Sequence, residues 1–159
     1  MKALPRISLV SSLLLALLAG CASTGSKRVS EPATSIQQLA IDAQGQWQVE
    51  LRLQNYSSVA MRFDEVALAL SIEGKEAGQL QATPALTVAP ESAEILSITL
   101  TPSLPAKLQA ADALATGRGF GYHLKGTVKA SVENGKPRSY SLQRNSALSP
   151  APGLPGVLR

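Results

Sequence analysis

Four places in the chain carry residue types that could do chemistry. Cys21 is the only cysteine and His123 the only histidine, Asp64 and Glu65 are adjacent carboxylates, and Gly117-Arg118-Gly119-Phe120-Gly121 is rich in glycine. A single histidine cannot build a two-histidine metal site within one chain. His123 also falls on the polar side of an alternating run, between Tyr122 and Leu124, where a solvated strand position is expected. No serine lies in a G-x-S-x-G elbow, so a serine nucleophile has neither its sharp turn nor an evident base. Neighbouring side chains on a strand point to opposite faces, which keeps Asp64 and Glu65 from acting as an acid–base pair. The glycine run opens a strand rather than a helix and lacks the lysine and hydroxyl residue of a phosphate loop. A bulge or a close backbone approach is the expected use of those glycines. No catalytic residue, metal site or cofactor follows from these residues, and the chain is not expected to be an enzyme.

Cys21 is different, because its context speaks of address rather than reactivity. Lys2 and Arg6 precede an almost wholly apolar run from Ile7 to Ala19. A basic start followed by a short apolar stretch is the pattern of a secretory signal peptide, and the run is too short for a bilayer-spanning helix of about 20 residues. Its end, Leu18-Ala19-Gly20-Cys21, resembles the bacterial lipoprotein signal motif. That resemblance implies cleavage between Gly20 and Cys21 and acylation of the Cys21 sulfur and of the new amine, palmitate among the chains. Cys21 would then offer no thiol to catalysis, metal or disulfide. Acyl chains each contribute about 0.8 kcal/mol per buried methylene, and more than one chain makes a stable anchor. Ala22 follows the cysteine where retention in an inner membrane would be associated with aspartate. The expected location is therefore the outer membrane, on the side facing the periplasm, with the membrane itself as partner through the lipid.

Behind residues 1–20 the remaining length suits one domain. Without Lys2 and Arg6 the chain keeps thirteen basic and eleven acidic side chains, and the basic ones form no run. A nucleic-acid partner is not expected from so scattered and slight an excess. With no second cysteine the fold must hold by packing alone. Residues 21–34 are small, polar and charged, and read as a flexible tether.

Thereafter the period is two. Trp47, Val49, Leu51 and Leu53 alternate with polar residues, as do Val66, Leu68, Leu70 and Ile72, then Leu96, Ile98 and Leu100, and then a long run from Phe120 to Val132. Trp47, Phe63, Phe120 and Tyr122 are the expected large core pieces. Asn55-Tyr56-Ser57-Ser58, Glu73-Gly74-Lys75, Ala89-Pro90-Glu91 and Glu133-Asn134-Gly135-Lys136 supply turns, and Asn134-Gly135 is the strongest hairpin signal. Leu104 to Ala115 breaks the pattern with helical spacing, its apolar face expected at Leu104, Leu108 and Ala111 or Leu114. About seven antiparallel strands and one short helix crossing between sheets predict an all-β sandwich of the fibronectin or immunoglobulin kind over residues 35–148. Residues 149–159, with Pro150, Pro152 and Pro155, read as a Pro/Gly-rich tail.

The stretch QWQVELRLQNYSSVAMRFDEVALALSIEGKEAGQLQ, followed later by TVAPESAEILSITL and YHLKGTVKASV, resembles the LEA type 2 family, also called the water-stress and hypersensitive response domain. The likeness runs over about Ser35 to Leu148. Where that family commonly has Asn-Pro-Asn, this chain has Asn55-Tyr56-Ser57 and keeps only the first position. The resemblance implies a fibronectin-like sandwich, a protective role in desiccation or related stress, and no catalytic residues. Three readings stand side by side: a lipid-anchored envelope protein that protects or binds a protein partner, a module that holds a lipid or other apolar ligand, and an enzyme. The first is preferred.

Overall fold

The computed structural model, which describes residues 26–133 and 135–159, has nine strands and one helix among them, the longer strands built on alternation at period two. The strands are β1 (Ala33–Ile41), β2 (Trp47–Gln54), β3 (Met61–Ile72), β4 (Lys75–Ala82), β5 (Leu86–Val88), β6 (Ala93–Leu100), β7 (Phe120–Val132), β8 (Arg138–Leu148) and β9 (Val157–Leu158). The helix α1 (Leu104–Ala115) carries the chain from β6 to β7. One sheet has the order β6-β2-β1-β9; the other runs β4-β3-β7-β8, with β5 also paired to β3. Every pairing is antiparallel. The expected all-β sandwich is present. It has more strands than expected because β5 and β9 are too short to show a period.

The core follows the alternation residue by residue. Trp47, Val49, Leu51 and Leu53 are buried, while Gln48 and Arg52 are exposed. Along β3 the parity changes: Met61 and Phe63 point inward, and so do Val66, Leu68, Leu70 and Ile72. A bulge between Phe63 and Glu65 inserts the extra residue that keeps both sets on the core face. Trp47, Phe63, Phe120 and Tyr122 are all buried, as expected. The Tyr122 hydroxyl accepts the Ile36 backbone N–H at 3.1 Å, so its polar end ties the two sheets together.

Turns divide into two kinds. Glu73 and Gly74 both have positive φ between the paired residues Ile72 and Lys75, which gives the tight hairpin that right-twisted strands accept. The β7–β8 connection spans residues 133–137 and so is longer than a two-residue turn. Asn134 lies outside the described residues.

The helix has the expected bounds, but of the expected apolar face only Leu114 packs against the core, and Leu104, Leu108 and Ala111 are exposed. Ala106, Ala110 and Ala113 are buried, whereas Leu104 and Leu108 are 68% and 64% exposed. The cause is closeness. Ser103, the N-cap, donates its N–H to the Ala77 carbonyl and its hydroxyl to the Glu76 carbonyl, at 2.9 and 2.6 Å. Pinned to β4 in this way, α1 presents the methyl side chains of Ala106, Ala110 and Ala113 to the sheet, with Leu114 half-buried beside them against the core.

Both outer boundaries move. The chain continues past Leu148 into β9, where Leu158 is fully buried and pairs with Leu39. Residues 149–159 are thus part of the sandwich, corrected from a trailing tail. The expected tether over residues 21–34 does not reach that far, since β1 begins at Ala33, Pro32 is buried and Arg28 is already bonded to the domain. The expected signal peptide and residues 21–25 of the expected tether lie outside the described residues.

Candidate functional site

The end of β2 runs into a turn built around one buried amide. Asn55 donates from Nδ2 to the carbonyls of Val59, Val88 and Ala89 at 2.8, 3.2 and 3.0 Å. Its Oδ1 accepts the Ser57 N–H at 2.8 Å, and its own N–H goes to the Ser92 carbonyl at 2.9 Å. One side chain thereby satisfies backbone groups from two separate turns. Only an amide offers donors and an acceptor together at this length.

This turn holds the N-terminal segment. Ser30 donates its N–H to the buried Ser57 Oγ at 3.0 Å. Arg28 donates its N–H to Ser58 Oγ at 2.8 Å, and the Ser58 N–H returns to the Arg28 carbonyl at 3.0 Å. The Arg28 guanidinium reaches the Tyr56 carbonyl at 3.0 Å and Glu91 at 2.8 Å. Val29 and Tyr56 are left exposed at the same place. The segment leading back to Cys21 therefore leaves the sandwich at a fixed point. Because Gln54 pairs with Ala93 and Trp47 with Leu100, that point and the start of α1 lie at opposite ends of β2, about 25 Å apart.

The other candidates do not converge. His123 sits on the outer face of β7 beside Asn145 and is half-buried. Asp64 and Glu65 are not on opposite faces as expected, because the bulge leaves both outside between inward Phe63 and Val66; Asp64 is bound by Arg62 at 2.9 Å and by the Ser131 hydroxyl at 3.3 Å, while Glu65 pairs in register with Lys129. In the glycine run, Gly117 takes φ +65 and ends α1, with the Gly117 and Arg118 N–H groups bonding back to Leu114 and Ala113. A Cβ on Gly119 would stand 2.5 Å from the Leu148 carbonyl oxygen. Helix termination and close approach account for both glycines. Among the described residues no group of three or more His, Cys, Asp or Glu could hold a metal, and no helix is long and apolar enough to cross a membrane. Gly20 and Cys21 lie outside the described residues.

Two features of this surface escaped the sequence reading. Asn55 was legible as a turn residue but not as the clamp between two turns, since its partners at Val88 and Ala89 are remote in sequence. The apolar groove beside α1, lined by Leu114, Ala115, Pro150, Leu154, Pro155 and Val157, depends on the C-terminal segment folding back.

Comparison with known proteins bears on the fold and the family. The chain is similar to target SoR45 of the Northeast Structural Genomics Consortium, with 13% identity and a TM-score of 0.50, covering 79% of this chain and 91% of that one. It is also similar to AT1g01470 from Arabidopsis thaliana, at 12% identity and a TM-score of 0.44, covering 77% and 78%. No curated protein matches the sequence. The family model of the late embryogenesis abundant proteins, LEA_2, matches residues 50–138, from within β2 to the start of β8. That match takes in the Asn55 turn and more than half of the chain, and the protein belongs to the LEA_2 family of late embryogenesis abundant proteins.

Proposed function

We propose that this protein is a non-enzymatic, lipid-anchored member of the LEA_2 family in the cell envelope. It is cut between Gly20 and Cys21, acylated on Cys21, and held at the outer membrane facing the periplasm. Its sandwich protects envelope components during water stress or presents a surface to a protein partner. The observation that supports this reading most is the clamp on residues 28–30. It fixes which end of the sandwich the anchored segment leaves, and seven residues from Cys21 to Arg28 span at most about 25 Å. The end bearing exposed Tyr56 and Val29 then faces the bilayer, where an amphipathic ring is well placed. Trp47, Phe63, Leu68 and Leu124 fill the space between the sheets, which favours a role for the surface over an apolar ligand held inside.

Labelling cells with a palmitate analogue tests the anchor. The wild-type protein takes up label and Cys21→Ser does not, while the domain of the variant stays folded; label surviving in Cys21→Ser overturns the anchor. Deletion of the gene followed by drying and osmotic challenge tests the protective role, and unchanged survival removes it.

A further inference from the structure

The exposed face of α1 is apolar in a pattern that matches itself. Leu104, Leu108, Ala111 and Ala115 are all exposed and fall at intervals of four, three and four residues, which puts them in one stripe along the helix. An exposed helix face is ordinarily charged. Here the stripe carries no charge, and its flanks hold one base, Lys107, and one acid, Asp112. Beyond Ala115 the stripe opens into the groove of about 560 Å³ whose floor and walls include Leu114, Pro150, Leu154 and Val157. Leu154 is 46% exposed at its edge. Large side chains thus occupy the first half of the stripe, and small ones with a hollow beside them the second half.

We infer that this face docks on a second copy of the same chain, with the two α1 helices antiparallel about a two-fold axis that passes between residues 109 and 110. That arrangement places Leu104 of each copy on Ala115 of the other, at the mouth of the groove, and Leu108 on Ala111. Each large side chain meets a small one, and the same four residues serve both partners, as an isologous contact requires. Asp112 is already paired with Arg118 at 2.6 Å, and the same two-fold axis sets Lys107 of each copy opposite Asp112 of the other, so the flanks suit a second copy and not a strongly charged partner. A lipid surface is a poorer occupant, because helices that lie in a bilayer interface are rimmed with several Lys or Arg, whereas α1 has only Lys107 and the nearby Arg118 is tied to Asp112. One helix face and one groove fall below the ~1,600 Å² total of a standard interface, so the dimer dissociates on dilution. The inference is independent of the lipid anchor.

Sedimentation of the full chain in mild detergent across a range of concentrations tests it, with Leu104→Glu/Leu108→Glu as the disrupting variant. Both leucines are exposed, so the variant keeps its fold and melting temperature. The wild type is expected to dimerise reversibly, and the variant to dissociate at concentrations at least roughly tenfold higher. In parallel, Ala111→Cys crosslinks to itself under mild oxidation in intact cells, and Thr127→Cys, on the outer face of β7, does not. Any of four results overturns the inference. These are a monomer at all concentrations, a dimer indifferent to the glutamates, equal crosslinking at positions 111 and 127, and a crosslinked product whose mass is not twice that of the chain. Loss of vesicle binding in a glutamate variant whose wild-type parent is monomeric assigns the stripe to a membrane instead.

Discussion

Gly126 on β7 lies so close to Ala67 on β3 that a Cβ at position 126 would stand 2.1 Å from the Ala67 carbonyl oxygen and 2.9 Å from the Leu68 Cα. The obstacle is backbone at the centre of the sheet, paired on both sides, so neither strand can yield without breaking ladder bonds. Gly126→Ala is expected to lose about 3 kcal/mol or more in urea unfolding, at the upper end of overpacking costs. Gly74→Ala serves as the contrast. It has open space around it but a φ of +73, so it costs only about 1–2 kcal/mol, the conformational term alone. Equal losses at the two sites would refute the distinction between crowding and strain.

Asn55→Ala removes the amide that satisfies carbonyls of Val59, Val88 and Ala89 and the N–H of Ser57. Asn55 is fully buried, so water does not replace those partners in place. With an unsatisfied buried group costing about 1–3 kcal/mol, the expected loss is about 3 kcal/mol after some relaxation of the turns. Asn55→Asp keeps the acceptor for Ser57 but turns a carboxylate towards carbonyl oxygens, and is expected to be no more stable than the alanine variant. Denaturant midpoints of the two variants check the order, and a loss below about 1 kcal/mol for Asn55→Ala would show that the turns hold without it.

What could be read from the residues, and what could not, follows from the range of the physics involved. Strands β2, β3, β6 and β7 announce their buried face, and Trp47, Leu68, Ile98 and Val128 are all where alternation puts them, whereas β1, β4 and β8 bury too irregular a set to show one. The bulge at Asp64 is hidden because it preserves burial on both sides while changing parity. Helix α1 was legible in its bounds, since helical spacing and a first-turn Pro105 act locally, although the Ser103 cap and the Gly117 stop were not read as such. Its orientation was not, because leucines at helical spacing look like a core face until the pinning of Ser103 to β4 is known. The same holds for β9 and the Asn55 clamp, whose partners lie far away along the chain.

The clamp on the N-terminal segment should be separable from global stability. Ser57→Ala deletes the buried acceptor of the Ser30 N–H while leaving the core strands untouched. A net hydrogen bond contributes about 1 kcal/mol, so amide hydrogen exchange at Ser30 is expected to accelerate roughly fivefold. The Leu51 amide, inside the β2 ladder, exchanges only through larger openings and should change much less. Equal acceleration at both amides would mean that residues 28–30 open only with the whole domain.

The C-terminal segment gives the sharpest test of the moved boundary. Leu158 is fully buried against the β1 edge, and its neighbours are held by a chain of backbone bonds: Ser149 and Arg159 exchange N–H and carbonyl at 2.7 and 2.9 Å, and Ile41 donates to the Gly156 carbonyl at 2.8 Å. Gly156 itself has φ +76, and a Cβ there would come within 2.8 Å of the Ile41 carbonyl oxygen, so this loop accepts glycine and little else. Truncating a fully buried leucine removes transfer energy and leaves a cavity, typically 2–5 kcal/mol together. Leu158→Ala is therefore expected to cost about 3 kcal/mol, and deletion of residues 149–159 more, since the β1 edge would then face water unpaired. A trailing tail would predict no change in either variant. Thermal unfolding decides between them, because a loss of about 3 kcal/mol in a domain of this size lowers the midpoint by roughly 10 °C.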